Sequence, residues 1–245
     1  MTDLAIIGGT GLASLNGLEI TRREMVHTPY GQPSGPLMHG RFAGHNVVFL
    51  PRHGYAHTIP PHRVNYRANI WALHHIGVRR VLAVAAVGGI RSDMLPGSIA
   101  FPDQLIDYTY GRAHTFFEQD LDQVTHIDFT EPYDPVLRAQ LIDAAHKASL
   151  TCVTDGTYAA TQGPRLETAG EITRLERDGC DVVGMTGMPE AALAREMQLA
   201  YACCAVIANW AAGKGSEGIH AEIDRYLKRG MEQVRSLLEA LVPLI

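Results

Sequence analysis

Five stretches of this 245-residue chain join a turn-forming glycine or proline to a side chain that handles anions or amides. Gly8-Gly9-Thr10-Gly11 lets backbone N–H groups approach an anion, and the Thr10 hydroxyl adds a donor. Arg52-His53-Gly54 sets a fixed cation beside a titratable ring, and both suit phosphate. Gln162-Gly163-Pro164-Arg165-Leu166-Glu167-Thr168 carries a carboxylate. Val183-Gly184-Met185-Thr186-Gly187-Met188-Pro189-Glu190 carries a hydroxyl at a helix start, and Ala208-Asn209-Trp210-Ala211-Ala212-Gly213 an amide. Each has a plain structural reading as well: a tight turn, a solvated loop, a carboxylate drawn to a helix N-terminus.

The elements that position these stretches follow from the apolar pattern. Leu4–Ile7, Asn46–Leu50, Val81–Val87, Val153–Thr161, Asp181–Gly184 and Ala202–Ala208 read as strands, with shorter ones at Ser98–Pro102 and Gln104–Tyr108. Val81–Val87 is apolar on both faces, as in a buried parallel sheet. Helices are predicted over Val64–Ile76, Pro135–Ser149, Glu167–Arg177, Pro189–Met197 and from Ile219 or Ala221 to Leu241. The alternation predicts an α/β fold: a single domain spanning 1–245, with a mixed, mostly parallel central sheet flanked by helices. In such folds ligands gather at the carboxyl ends of strands, where all five stretches fall. The long segment Gly111–Pro135 is expected to be functional or at an interface.

Composition narrows the class. A formal charge of −5 argues against a nucleic-acid binder, and no apolar run is long enough for a membrane helix. The start, Met1-Thr2-Asp3, has no basic leader region, and Cys152, Cys180, Cys203 and Cys204 form no C-x-x-C pair. The cysteines are expected to be reduced core residues, and the location cytoplasmic. His53, His57 and His62 are not at a helical metal spacing, so no metal is expected. Gly9–Ser14 follows the dinucleotide fingerprint but lacks its third glycine, and no acidic residue ends a second strand near it, so an oxidoreductase lacks its signature.

Taken together the stretches resemble the trimeric purine nucleoside phosphorylase and methylthioadenosine phosphorylase family. The resemblance also covers Pro29-Tyr30-Gly31-Gln32-Pro33-Ser34, Asn65-Tyr66-Arg67-Ala68-Asn69-Ile70-Trp71-Ala72-Leu73 and Gly163-Pro164-Arg165, and spans nearly the whole chain. It implies reversible phosphorolysis: inorganic phosphate, a co-substrate, attacks C1′ of a nucleoside and the purine leaves, with no cofactor. Carried over, Thr10, Arg52, His53 and Thr186 resemble the phosphate clamp, with Ala86 giving a backbone donor. At Ala85 the family often has Thr, so one hydroxyl contact is missing here. Met185 resembles the residue under the ribose. Glu167 and Asn209 resemble the residues that read the base, and Leu166 and Ala211 come with that pocket. His126 resembles the residue a neighbouring subunit adds to the 5′ pocket. A homotrimer with active sites near its subunit interfaces is implied in the same way.

The base pocket then sets the substrate. A Glu167 carboxylate accepts from N1–H of a 6-oxopurine and repels the N1 lone pair of adenine, while Asn209 donates to O6 or N7. Family members that take 6-aminopurines resemble one another in having Ser and Asp at these two places. At the 5′ end, Ile223 stands where oxopurine phosphorylases place a His, and its apolar surface suits a methylthio group. A slip in register would bring His220 there instead and favour inosine. The combination implies a hypoxanthine nucleoside with a 5′-methylthio group. A catalytically idle nucleoside-binding protein on the same fold is the rival of another class. It would show the loss of a phosphate contact, whereas Thr10, Arg52, His53 and Thr186 are all present.

Overall fold

The apolar runs become strands of one sheet, and their alternation decides which helices cover which face. The structure, a computed structural model, describes residues 3–119 and 121–245. Strands β1 (Leu4–Gly8), β4 (His45–Pro51), β5 (Arg80–Gly89), β10 (Val182–Gly184) and β11 (Ala200–Trp210) form its centre. Ala5, Ile7, Val81 and Ala83 turn to one face; Leu4, Ile6, Leu82 and Val84 turn to the other. Helices α1 (Tyr66–His75) and α4 (Gly187–Glu196) pack on the first face. Helices α2 (Pro135–Lys147) and α5 (Ile219–Leu241) pack on the second. Each fully buried Leu or Ile contributes about 1.5–3 kcal/mol, so the two apolar layers hold the sheet between its helices. Cys203 and Cys204 fall on opposite faces, as strand alternation requires.

The sheet is mixed and mostly parallel. β5 pairs parallel with β1 over Arg80–Ala83 and with β11 over Arg80–Val87. At Gly88–Gly89 it takes up β10, which runs antiparallel to it. Between Ala83 and Gly88 the β1 side of β5 has no strand partner. This parting of β1 from β10 opens the sheet where the strand ends bring their functional residues.

Several elements differ from the sequence reading. A hairpin of β2 (Glu19–Glu24) and β3 (Leu37–Phe42) was not foreseen; β2 is exposed and polar, with no apolar face to announce it. The two short strands shrink to β6 (Ile99–Ala100) and β7 (Gln104–Asp107). The strand predicted over Val153–Thr161 is two, β8 (Cys152–Val153) and β9 (Thr157–Ala160), parted where Gly156 takes φ 142°. Helix α3 (Ala169–Arg177) starts two residues later than predicted, because Thr168 and Glu171 form a capping box. Glu167 therefore stands outside the helix, and its carboxylate is free of capping. In α4, Met188 is non-helical, so regular helix begins at Pro189 as the sequence suggests. Among the described residues no helix is long and apolar enough to cross a membrane, and no three metal-binding side chains are gathered.

Candidate active site

The loops at the carboxyl ends of β1, β4, β5, β9, β10 and β11 enclose a cleft of about 390 Å³. The expected anion-binding residues Thr10, Arg52, His53, Ala85, Ala86 and Thr186 all line it. So do Met185, Leu166, Glu167, Asn209, Ala211 and Ile223. His126 is exposed, in the loop between β7 and α2, and is outside the cleft of its own chain. His220 is exposed and outside it as well, while Ile219 joins Ile223 on the wall. On α5 it is thus Ile223, not His220, that faces the cleft.

Two backbones meet closely at the anion end. A Cβ on Gly9 would lie 2.6 Å from the Val84 carbonyl oxygen and 3.0 Å from Arg52 Nη1, so only glycine fits. Val84 gives its carbonyl to Arg52 Nη1 at 2.9 Å, on the unpaired side of β5. Backbone groups two residues apart on a parallel strand face the same edge, so Ala86 turns its N–H to the same opening. Thr186 precedes α4, and its hydroxyl caps nothing there, which leaves it open to a ligand.

Arg52 differs from the sequence reading. It was expected as a fixed cation for an anion, with no partner named; it is buried and ion-paired. Its Nε and Nη2 donate to Glu190 at 2.7 and 2.8 Å, and Tyr201 donates to the same carboxylate at 2.8 Å. Arg52 is 1% exposed and Glu190 0%. Burial works against the guanidinium charge, but Glu190 outweighs it and holds the pKa above the ordinary value. Of the five guanidinium N–H groups, three are used inside the protein, leaving two for a ligand. The net charge that Arg52 brings to an anion is cancelled by Glu190. In the sequence Glu190 reads as a favourable first-turn carboxylate; the apolar run Ala191-Ala192-Leu193 after it was the available sign of burial.

His53 stands in the cleft as a neutral ring. Its Nδ1 lies 2.8 Å from the carbonyl oxygen of Ile59, which can only accept, so Nδ1 carries the proton. Burial, then the charge of Arg52, pushes the ring down to about 4, against the pull of the Ile59 carbonyl. The neutral ring therefore presents Nε2 as an acceptor, matched to the P–OH of a hydrogen phosphate, and adds no positive charge. His57 packs 4.8 Å from the His53 ring, with its Nε2 3.4 Å from Thr10 Oγ1.

At the base end, Thr161 Oγ1 donates to Glu167 Oε1 at 2.7 Å and fixes one carboxylate oxygen. Asn209 follows a bulge in β11 at Ile207/Asn209 and is 8% exposed. Its Nδ2 donates to the Trp210 carbonyl at 2.7 Å, which holds the amide plane and leaves a second N–H to donate. Glu222 of α5, missed in the sequence, accepts from the Trp210 N–H at 2.7 Å and ties α5 to this strand end. Gly163, at φ 59°, has no room for a Cβ, which would meet Met185 Sδ at 2.4 Å. The site thus holds hydroxyls, a backbone edge and a charge-balanced guanidinium for an anion beside a fixed carboxylate and amide, on a doubly covered mixed sheet.

That arrangement is the class the fold and cleft define: an enzyme that brings phosphate to a nucleoside. The chain belongs to the phosphorylase superfamily, which it matches over residues 3–243. It is 56% identical over 239 residues, 97% of each chain, to a probable S-methyl-5′-thioinosine phosphorylase of Pseudomonas syringae pv. tomato. It is 44% identical over 251 residues to the 6-oxopurine nucleoside phosphorylase of Pyrococcus furiosus, covering 100% of this chain and 94% of that one. Among solved structures it resembles methylthioadenosine phosphorylase from Schistosoma mansoni in complex with adenine. There the TM-score is 0.92 at 33% identity, over 100% of this chain and 92% of the other.

Proposed function

We propose that this protein catalyses the reversible phosphorolysis of S-methyl-5′-thioinosine, giving hypoxanthine and 5-methylthioribose 1-phosphate. The observation that carries the reading is one cleft in which Glu167 and Asn209 share walls with Ile219 and Ile223, and from which His220 is absent. The names of its relatives support it. Phosphate, held by Thr10, Thr186, the Ala86 N–H and the two spare N–H groups of Arg52, attacks C1′. As the glycosidic bond breaks, the sugar gains positive charge beside the phosphate anion, and the purine gains negative charge. Asn209 donates to the base, while Glu167 accepts from N1–H. Met185 lies under the ribose. Interactions that strengthen as charge develops lower the barrier without a covalent nucleophile.

The reading includes a cytoplasmic homotrimer, with inorganic phosphate as co-substrate and no cofactor. Support for the oligomer is the loop between β7 and α2, where Tyr110 is 72% exposed and Val124, close to His126 in sequence, 71%. Such apolar exposure suits burial against a second copy, which then receives His126 at its 5′ pocket. The test is a phosphate-dependent assay of methylthioinosine, inosine, methylthioadenosine and adenosine. Methylthioinosine should exceed inosine by about tenfold or more in kcat/KM, because the methylthio group gains apolar contact and a hydroxyl would lack a partner. Equal activity on inosine would leave an ordinary oxopurine phosphorylase, and no phosphate-dependent turnover would leave a binding protein.

A further inference from the structure

Of the two buried arginines, Arg52 has its carboxylate and Arg112 has none among the described residues. Arg112 lies in the loop between β7 and α2, 9% exposed, and does not line the cleft. Nothing in the sequence marks it: a single arginine after Gly111 in a polar loop reads as solvated. Its guanidinium is satisfied by the backs of the cleft walls. Nε donates to Gln162 Oε1 at 3.1 Å, and Nη2 to the carbonyls of Thr161 and Gln162 at 3.2 and 2.9 Å. Nη1 donates to the carbonyls of Met185 and Met188 at 2.9 and 2.6 Å. The guanidinium carbon also lies 5.5 Å from the centre of the Tyr66 ring, and Tyr66 donates to the Pro61 carbonyl at 2.9 Å.

These contacts reach three walls. The sheet joins the first two only up to Ala160–Gly184, with the Thr161 N–H on the Gly184 carbonyl at 2.8 Å, and Arg112 bridges the loops that run on beyond that edge. Thr161 is the residue whose hydroxyl holds Glu167. Met185 and Met188 flank Thr186 and belong to the β10–α4 junction. Pro61 lines the cleft beside the His53 loop. We propose that Arg112 is a positioning residue: its planar fork sets the spacing between the Glu167 segment and the Met185–Thr186 segment, and so the discrimination between 6-oxo and 6-aminopurine nucleosides. A fork with five N–H groups in one plane spans two strand ends at a fixed separation; an ammonium on a flexible stem does not. Neutral carbonyls as partners also fit this role, since they orient the guanidinium without fixing it to one acid.

The inference rests on the phosphorolysis reading, and the experiment separates the two. Wild type, Arg112→Lys, Arg112→Ala and Gln162→Ala are assayed with phosphate on methylthioinosine and methylthioadenosine, with folding followed by thermal melts. Arg112→Lys is expected to lower kcat/KM for methylthioinosine at least tenfold and to reduce the oxo-to-amino ratio at least fivefold. Guanidinium ion added to Arg112→Ala is expected to restore activity at least fivefold. Gln162→Ala removes the Nε contact, together with the acceptor of the exposed Tyr110 N–H, and is expected to reduce the ratio about threefold; it serves if the Arg112 variants do not fold. A folded Arg112→Lys with rate and ratio within twofold of wild type overturns the proposal, as does an unchanged ratio in Gln162→Ala. A wild type that releases no base with phosphate overturns the phosphorolysis reading instead.

Discussion

Removing Arg52 is the obvious way to weaken phosphate binding, and the structure says it will damage two things at once. The guanidinium and Glu190 are both fully buried, 2.7 and 2.8 Å apart through a two-pronged contact. Breaking one side of a buried pair leaves an uncompensated charge and costs about 3–5 kcal/mol. Arg52→Met should therefore melt far below wild type, and its raised phosphate KM would be ambiguous. Replacing both partners removes the orphan charge. Arg52→Met with Glu190→Leu should recover most of the lost stability, less the Tyr201 hydroxyl, which loses its acceptor. Phosphate binding should not recover, because the two spare N–H groups are gone. Hydrogen bonds to a charged group contribute about 1.5–3 kcal/mol each, so losing two should raise the phosphate KM about a hundredfold or more. Thr186→Val is the comparator: it breaks no ion pair and should raise the phosphate KM with little change in melting. Urea titration and phosphate saturation curves on the four proteins suffice. A double variant with wild-type phosphate KM would refute the assignment of Arg52 to the anion. One no more stable than Arg52→Met would refute the argument from buried charge.

Three further outcomes follow from the same geometry. Glu167→Ser with Asn209→Asp should move preference toward 6-aminopurine nucleosides; a double variant that still strongly favours methylthioinosine over methylthioadenosine places the discrimination elsewhere. Ile223→His should narrow the gap between methylthioinosine and inosine, while His220→Ala, outside the cleft, should leave both substrates unchanged in kcat/KM. His53, held down to about 4 against an ordinary 6.5, takes up its proton more readily when the chain is unfolded. Stability should fall as pH drops from 6.5 toward 4, and His53→Gln should flatten that slope in melts across the range; an unchanged slope would count against the buried neutral ring.

Much of this was legible because the informative residues sit at strand ends, where an apolar run stops at a glycine. Val81–Val87 and Ala202–Ala208 could be read as buried strands, and the side chains after them as ligand-facing, from one-dimensional pattern alone. Glu167 and Asn209 both line the cleft, although Glu167 stands ahead of the helix it was expected to open and Asn209 inside the strand it was expected to follow. The partners of those residues were not legible. Glu190 lies 138 residues from Arg52, and only the fold brings an acid to that guanidinium. Arg112 sits in a stretch with no periodicity, so nothing local tells a buried arginine from a solvated one. The tautomer of His53 depends on one carbonyl, that of Ile59, six residues on and across two turns. Gly156 divided a predicted strand because a turn can follow strand-forming residues without changing their composition.

The parting of β1 from β10 along β5 also sets how fast single amides of that strand trade protons with water. Ala85 and Val87 face β11 through a long parallel ladder. Their amides should exchange only when the sheet opens as a whole. Ala86, between them, faces the gap and should exchange orders of magnitude faster while the cleft is empty. Phosphate bound to that N–H would remove the difference. One strand would then carry neighbouring amides with unlike clocks, and the anion would be the agent that sets them to the same time.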